Sequence, residues 1–197
     1  MSHPDFDESY KGTPPWDIGR PQREFVLAEE RGELHGSILD VGCGTGENAL
    51  FFASRGHEVL GIDTSPRAIR RAQEKAQERK IQSVSFRIAD ALNLSHELRG
   101  SFNSIIDCGL FHVFTDGERS QFVGSIHSVL KENGKYLMLC FSDLEPTSWG
   151  GPRRVSQAEI RKCFSQGWAI NYINDARLET NFNFVTGRAW FSSITRT

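Results

Sequence analysis

The sequence lacks the features that mark membrane, secreted and zinc-binding proteins. No apolar run in its 197 residues approaches the roughly 20 residues that a membrane-spanning helix needs. The polar, acidic N-terminus has no apolar core of the kind found in signal peptides. The four cysteines form no C-x-x-C pair, which argues against a structural zinc site and a disulfide framework; they are Cys43, Cys108, Cys140 and Cys163. These absences predict a protein of the reducing cytoplasm.

The chain also lacks a strong charge of either sign. Lys and Arg number 23 against 25 Asp and Glu, so the net charge is -2 and no global field attracts nucleic acid or anionic lipid. A chain of this length suits one domain with a single core and leaves little for recognising a macromolecule. We therefore expect a small molecule as the partner, with no nucleic acid and no membrane, and leave monomer and homodimer as alternatives.

Short apolar strands alternate with amphipathic helices through most of the chain. Such alternation predicts an α/β fold with a parallel sheet and helices on both faces. The predicted strands are 37–41, 57–63, 84–88, 104–108 and 136–141, with a turn at 133–134 before the last. The predicted helices are 48–55, one from 66 onwards, 116–130 and 156–164. Two final strands, 168–176 and 189–194, are expected to pair as an antiparallel C-terminal hairpin.

A glycine-rich turn follows the first strand, where glycine lets the backbone approach a ligand closely. The spacing is Gly42-x-Gly44-x-Gly46. A dinucleotide site would place its third glycine at position 47, which is Glu47, and a carboxylate there would repel a pyrophosphate. The loop therefore favours a ligand without phosphate and disfavours the alternative of a nicotinamide oxidoreductase.

Three aspartates stand at the ends of the first three strands. Asp40 lies beside the glycine loop, where a carboxylate favours a ligand ammonium. Asp63 is placed to accept both hydroxyls of a ribose, and Asp90 to accept a bond from an adenine amine. An adenosine that carries an amino-acid tail and no phosphate is S-adenosylmethionine, which we predict as the cofactor, with S-adenosylhomocysteine as its product.

The run Ile38–Gly46 resembles motif I of class I S-adenosylmethionine-dependent methyltransferases. Asp63 matches that family's acidic end of strand two, and Asp90-Ala91 its adenine-contacting pair. The resemblance covers residues 37–141 well and the rest loosely. It implies a Rossmann-like, seven-stranded, mostly parallel sheet whose last strand is antiparallel. It also implies a cofactor site that includes Gly42, Gly44, Thr45, Gly46, Thr64, Ala91 and Cys108.

A second segment, Thr13-Pro14-Pro15-Trp16-Asp17-Ile18-Gly19-Arg20, is similar to a T-P-W-D-x-G-R segment of the thiol, halide and thiopurine methyltransferases, from which the extra proline departs. The resemblance implies that residues 1–20 form a lid over the cofactor, with Trp16 and Arg20 contacting it. The single methyltransferase domain would span 21–197. The first dozen residues are expected to be mobile unless a ligand orders them. The implied acceptors are small nucleophiles of thiol, halide, thiopurine or hydroxyl type.

The region after the fourth strand is expected to face the transferred methyl group. His112 is the candidate catalytic residue, as a base or as an orienting hydrogen-bond partner. Phe111, Trp149 and Arg153 are the further candidates for acceptor binding. The alternatives are that His112 has no role in proton transfer and that Arg153 lies in a surface turn. A non-catalytic sensor or partner subunit that binds S-adenosylmethionine stays open as a second function.

Overall fold

The computed structural model describes residues 5–98, 101–146, 152–181 and 186–197, and these fold around one seven-stranded sheet. The strands are β1 Ile38–Val41, β2 Val59–Asp63, β3 Val84–Ile88, β4 Phe102–Cys108, β5 Leu130–Phe141, β6 Trp168–Glu179 and β7 Thr186–Arg196. The helices are α1 Phe6–Ser9, α2 Arg23–Glu30, α3 Glu47–Ser54, α4 Pro66–Glu78, α5 Leu94–Glu97, α6 Asp116–Val129 and α7 Gln157–Cys163. Two 3-10 turns lie at Ala91–Asn93 and Phe111–Val113.

The strand order is β3-β2-β1-β4-β5-β7-β6, and β7 runs antiparallel to both of its neighbours. The predicted fold class, a mostly parallel seven-stranded sheet that ends in an antiparallel hairpin, is confirmed. The order reverses between β1 and β4, which pair in parallel with Val41 opposite Asp107. In open α/β sheets the connections after two such strands leave a crevice at their carboxyl ends, and ligands bind there. This topology places the glycine loop and the turn after β4 on the same edge.

Alternate residues of the central strands supply two apolar layers, one on each face of the sheet. Leu39 and Val41 pack into the layer beneath α6 and α7, whereas Ile38 packs into the layer beneath α3 and α4. Burial on both faces explains why these strands are short, continuous apolar runs. Among the described residues, no helix has both the length and the apolar character that crossing a bilayer demands.

The predicted helix boundaries hold where local capping signals are present. Ser65 accepts a hydrogen bond from the backbone N–H of Ala68 and is followed by Pro66 at the first helical position of α4. Thr115 and Glu118 form a reciprocal capping box at the start of α6. These motifs act within a few residues, so the sequence alone can locate them.

The structure corrects the predicted boundaries of three strands. Asn133-Gly134 lies within the span of β5, which begins at Leu130; here residues 131–134 stand opposite Asn103 alone and Asn133 adopts φ 61°, so the chain turns locally within the strand. The strands β6 and β7 extend beyond the predicted 168–176 and 189–194. In β6 the alternation of buried and exposed residues continues through Ala176 and Leu178. The charged residues Arg177 and Glu179 on either side of Leu178 hid this pattern in the sequence.

From residue 5 onwards the N-terminal residues, which were expected to be mobile unless a ligand orders them, make defined contacts. Asp5 caps α1, and Asp7 accepts hydrogen bonds from Ser65 Oγ at 2.6 Å and from the backbone N–H and side chain of Arg67. Tyr10 is buried. The polar composition that suggested mobility instead supplies contacts to the start of α4.

Gly61 in the middle of β2 is predicted to be intolerant of any side chain. A Cβ there would lie 2.5 Å from Phe86 Cδ1 on β3, and overpacking of this kind costs about 1–3 kcal/mol. We therefore expect Gly61→Ala to lower the free energy of unfolding by that amount in urea titrations. The matched control is Gly124→Ala on the exposed side of α6, where a Cβ meets nothing within 4 Å. It should raise stability by about 0.5–1 kcal/mol; equal effects from both substitutions would contradict this packing argument.

Candidate active site

The glycine loop connects β1 to α3 through three left-handed residues. Gly42, Gly44 and Gly46 have φ values of 67°, 54° and 83°. A Cβ on Gly46 would lie 2.6 Å from the Phe86 ring, and one on Gly44 would lie 2.8 Å from the Tyr10 hydroxyl. Gly46 caps α3 without a side chain, so the backbone N–H groups of the first helical turn remain directed at the crevice. The loop is therefore suited to bind a polar ligand through its backbone.

Asp40 places an uncompensated carboxylate beneath this loop. Its side chain is 1% exposed, and neither carboxylate oxygen has a partner with good hydrogen-bond geometry among the described residues; the Ala49 N–H on α3 is the donor that comes near it. Burial raises the pKa of Asp40 well above its usual range, and the nearby carboxyls of Asp107 and Asp63 add to this rise, against a lowering by the Ala49 N–H. A buried, unpartnered carboxylate is costly unless a cation or donor meets it. This site therefore fits the ammonium group of an amino-acid ligand.

Asp63 joins the end of β2 to the glycine loop. It accepts hydrogen bonds from the Gly44 N–H at 2.9 Å and the Ser65 N–H at 2.8 Å. Burial raises the pKa of Asp63, while these backbone bonds oppose the rise. Thr64, next to it, is exposed. The carboxylate lies at the mouth of the crevice with lone pairs beyond those the backbone uses.

Asp90 lies two residues after β3, and Cys108 is the last residue of β4. Asp90 accepts bonds from the Leu92 N–H at 2.9 Å and the Asn93 amide at 2.7 Å, and Ala91 is buried in the 3-10 turn that follows. Cys108 is half-buried at the end of β4, and burial raises the pKa of its thiol. The structure thus brings the sequence-predicted cofactor residues of β1, β2, β3 and β4 to one edge of the sheet.

The negative charge of Glu47 is compensated by two cations within the protein. Its carboxylate forms ion pairs with Lys75 at 2.8 Å and Arg79 at 2.8 Å, which tie α3 to α4 and lower its pKa although burial opposes this. Because two cations compensate this charge, Glu47 would repel a pyrophosphate less than its sequence position suggests. The unpartnered Asp40 is the stronger sign that the ligand carries a positive charge.

The N-terminal segment, defined here as residues 5–20, packs against the glycine loop. Tyr10 is buried, and its hydroxyl accepts a hydrogen bond from Trp16 Nε1 at 2.9 Å. Trp16 itself is 42% exposed. Asp17 accepts a bond of 2.8 Å from the hydroxyl of Thr45 within the loop. Tyr10 and Asp17 were missed as site residues; an aromatic side chain in an otherwise acidic segment was the available signal for Tyr10.

The same segment is fastened to the end of β6. Asn181 donates its side-chain amide to the carbonyl oxygens of Pro14 and Asp17, at 3.0 and 2.9 Å. Arg20 forms a two-pronged ion pair with Glu179, at 2.9 and 2.8 Å. We call these contacts the clasp. The partners are more than 150 residues apart in the chain, so no local pattern announces them.

The turn after β4 is fixed by a buried carboxyl group. Asp107 accepts hydrogen bonds from the Leu110 N–H at 2.8 Å, the Phe111 N–H at 3.1 Å and the Tyr136 hydroxyl at 2.8 Å. Burial raises the pKa of Asp107 to about 7, although these bonds oppose it. Gly109 adopts φ +82°, which lets the chain reverse above the end of β4. The turn is thus rigidly held and directs His112 towards Gly109.

His112 is an enclosed, neutral histidine. It is 4% exposed, its ring stacks on Phe141 at a centroid distance of 4.9 Å, and its Nδ1 accepts a hydrogen bond of 3.1 Å from the Phe141 N–H. Burial lowers the pKa of His112 to about 3, and the Arg119 guanidinium contributes to this shift. A neutral ring whose Nδ1 accepts a bond carries its hydrogen on Nε2.

Two of the side chains expected to bind the acceptor make their contacts within the protein. The Phe111 ring is fully buried against Phe122 and Phe164 and beneath the Arg119 guanidinium, so it belongs to the core. Arg153 forms ion pairs at 2.6 Å with both Asp116 and Glu159 on the exposed side of α6 and α7. These directions depend on α6 and α7, which no local pattern near Phe111 or Arg153 reveals. Trp149 lies outside the described residues.

Arg20 also differs from its expectation. Both terminal nitrogens of its guanidinium bond the Glu179 carboxylate, so this side chain is engaged by the clasp and does not reach the glycine loop as a free donor. Bidentate geometry of this kind fixes the orientation of both partners. The motif residue is thereby assigned a contact within the protein.

Residues 38–134 match the family model described as a methyltransferase domain. The chain is 37% identical to a 2-heptyl-1-hydroxyquinolin-4(1H)-one methyltransferase of Mycobacteroides abscessus, over 89% of this chain and 81% of that one. It is 31% identical to a probable thiol methyltransferase 2 of Arabidopsis thaliana, over 77% of this chain and 66% of that one.

One solved structure, described as the conversion of a disulfide bond into a thioacetal group during echinomycin biosynthesis, has a TM-score of 0.88 and 31% identity. The match covers 97% of this chain and 91% of that one. The chain therefore belongs to the class I S-adenosylmethionine-dependent methyltransferases.

Proposed function

We propose that this methyltransferase acts on a small-molecule nucleophile of thiol, halide, thiopurine or hydroxyl type. The observation that carries the proposal is the turn after β4, which presents one hydrogen-bonding nitrogen, His112 Nε2, beside Gly109 and Leu178 at the edge that holds the glycine loop. A single donor beside the aliphatic side chain of Leu178 suits a small acceptor. The relatives support this class, since one is named for a hydroxyquinolinone and another for a thiol.

The cofactor-binding residues are assigned by the chemistry each offers. Asp40 would bind the ammonium group of S-adenosylmethionine, and the backbone of Gly42, Gly44 and Gly46 would bind its carboxylate, with Thr45 beside them. Asp63 would bind the ribose hydroxyls next to Thr64. Asp90 and Ala91 would bind the adenine, and Cys108 would line the floor near the sulfur. The buried, unpartnered Asp40 carboxylate and the side-chain-free loop are the features of this chain that fit the cofactor.

The N-terminal segment acts in this proposal as the lid predicted for residues 1–20, with the catalytic domain following from residue 21. Trp16 would shield the sulfonium, whose charge an indole face attracts. Tyr10 would support Trp16 through the hydrogen bond between them. Arg20 would act through the clasp, by holding the lid to β6, and not by contacting the cofactor.

Catalysis then consists of alignment and exclusion of water. S-adenosylmethionine supplies a methyl carbon that its positive sulfur already activates. The rigid turn held by Asp107 positions His112, which orients the acceptor, and the lid keeps water from the crevice. The orienting role fits the neutral ring better than the alternative role as a base, because Nδ1 already accepts the Phe141 N–H.

The setting of the protein is proposed on the same basis. The four cysteines are free, which agrees with the reducing cytoplasm expected from their spacing. The near-neutral charge gives no support for nucleic acid as a partner. We keep monomer and homodimer as the two candidate states.

Asp63→Asn is expected to weaken cofactor binding more than it weakens the fold. Hydrogen bonds to a charged group contribute about 1.5–3 kcal/mol, so the Kd for S-adenosylhomocysteine should rise about 10- to 100-fold in calorimetry. Glu58→Gln, an exposed position just before β2, is the control and should bind as wild type. Unchanged affinity in Asp63→Asn would remove Asp63 from the cofactor site.

Trp16→Ala is expected to weaken binding of the cofactor more than binding of the product. Loss of a cation–π contact of about 0.5–2 kcal/mol should raise the Kd for S-adenosylmethionine about 2- to 30-fold. Uncharged S-adenosylhomocysteine should lose less, and Trp16→Phe should lie between wild type and Trp16→Ala. Equal losses for both ligands would show that Trp16 contacts no positive charge.

The proposed acceptor class is tested by incubating the protein with labelled S-adenosylmethionine and a panel of thiols, halides, phenols and amines. We expect turnover with thiols or acidic hydroxyl compounds, and none with alkylamines. Silence across the panel, with S-adenosylhomocysteine binding intact, would instead favour the alternative of a non-catalytic sensor or partner subunit.

A further inference from the structure

The turn after β4 determines which face of His112 is available to an acceptor. Nδ1 is occupied by the Phe141 N–H, and Nε2 has no hydrogen-bond partner among the described residues. The described buried polar atoms that lack a hydrogen-bond partner do not include Nε2, and the His112 side chain keeps 4% of its surface exposed. Nε2 is therefore taken as the accessible nitrogen of the ring. A Cβ on Gly109 would lie 3.4 Å from this nitrogen, and glycine there leaves the approach to Nε2 open. His112 therefore offers a hydrogen-bond donor and no acceptor.

The described carboxylates near His112 make contacts elsewhere. Asp107 accepts three hydrogen bonds and is fully buried, Glu145 accepts the Arg188 N–H at 2.5 Å, and Glu179 belongs to the clasp. Asp143 accepts the Trp190 Nε1–H at 3.3 Å through Oδ1. Residues 147–151 and 182–185 contain no Asp, Glu, His or Lys in their sequence. Among the described residues, therefore, no carboxylate hydrogen-bonds His112.

An ion pair lies behind His112. Arg119 on α6 is 1% exposed, donates to the Phe111 carbonyl at 3.3 Å, and pairs with Glu159 of α7 at 3.1 Å. Besides burial, the Arg119 guanidinium lowers the pKa of His112. Other titratable groups on the packed elements are Asp107 and Cys108 of β4 and Tyr136 and Cys140 of β5, with Asp143 just after β5. Because Glu159 compensates the charge of Arg119, the preference for an anion rests on the Nε2–H donor, since hydrogen bonds to an ionised acceptor are the stronger ones.

We propose that the acceptor is bound as an anion, namely a thiolate or the ionised form of an acidic aromatic hydroxyl compound, and that His112 Nε2–H donates a hydrogen bond to the nucleophilic atom. This inference rests on the proposed function and narrows its acceptor class. The acceptor lone pair forms the new bond to the methyl carbon, the carbon–sulfur bond breaks, and its electrons remain on sulfur. No proton changes place, so the reaction needs no base from the protein.

A first experiment follows kcat/KM against pH for a series of nitrophenols and nitrothiophenols of graded acidity. The rate should rise with pH through one inflection, and that inflection should move with the acidity of the acceptor. An inflection at the same pH for every acceptor would reveal a protein base and overturn the inference, while leaving the proposed function intact. If no acceptor of the series were methylated although the cofactor still bound, the proposed function would be overturned instead.

A second experiment needs no turnover. The visible absorbance of a nitrophenolate is titrated in the complex of the protein with S-adenosylhomocysteine. Binding should lower the apparent pKa of the nitrophenol by about one unit, a tenfold preference for the anion. His112→Leu should abolish this shift, His112→Gln should retain part of it through its amide N–H, and the exposed-site control His96→Gln should leave it unchanged.

The two His112 variants are first checked by thermal unfolding and by calorimetry with S-adenosylhomocysteine. If neither folds, the wild-type titration and the acceptor series decide the question. A bound nitrophenol that titrates at its free value or above, or fails to bind as the anion, overturns the proposal.

Discussion

The site depends on one buried carboxyl group that the protein itself does not pair with a cation. Asp40 is the next-to-last residue of the central strand β1, is 1% exposed, and has no partner with good hydrogen-bond geometry for either oxygen among the described residues. Leaving a carboxylate in this state is unfavourable, and the rise in its pKa reflects that cost. In the proposed function a ligand ammonium would remove this penalty, so that binding of an amino-acid-bearing nucleoside would also stabilise the loop region.

The rest of the crevice is arranged around the loop above Asp40. Three left-handed glycines bring the backbone close, Asp63 ties that backbone to β2, and the N-terminal segment covers it through Tyr10 and Asp17. The clasp then connects this cover to β6, which is the edge strand beside β7. In the proposed function this segment would close both the cofactor site and the acceptor site, and the acceptor would meet the donor of His112 within that enclosure.

Sequence reasoning succeeded where structure is set by neighbours in the chain. The glycine loop, the aspartates at the strand ends and the caps of α4 and α6 depend on a few adjacent residues, and the alternation of strands and helices fixes the order of the layers. It failed where a partner comes from far away. The hydrogen-bonding state of His112 depends on Phe141, the direction of Phe111 on α6 and α7, and the role of Arg20 on Glu179. Polar composition also misled, since the acidic N-terminus folds through its own carboxylates.

The most direct test of the central claim compares S-adenosylhomocysteine with its analogue that lacks the α-amino group, in the wild type and in Asp40→Asn, by calorimetry. If Asp40 binds the ammonium, removing the amino group weakens binding to the wild type by about tenfold or more and has little further effect on Asp40→Asn. If the amino group contributes equally to binding in both proteins, Asp40 does not bind it and the account of this site is wrong.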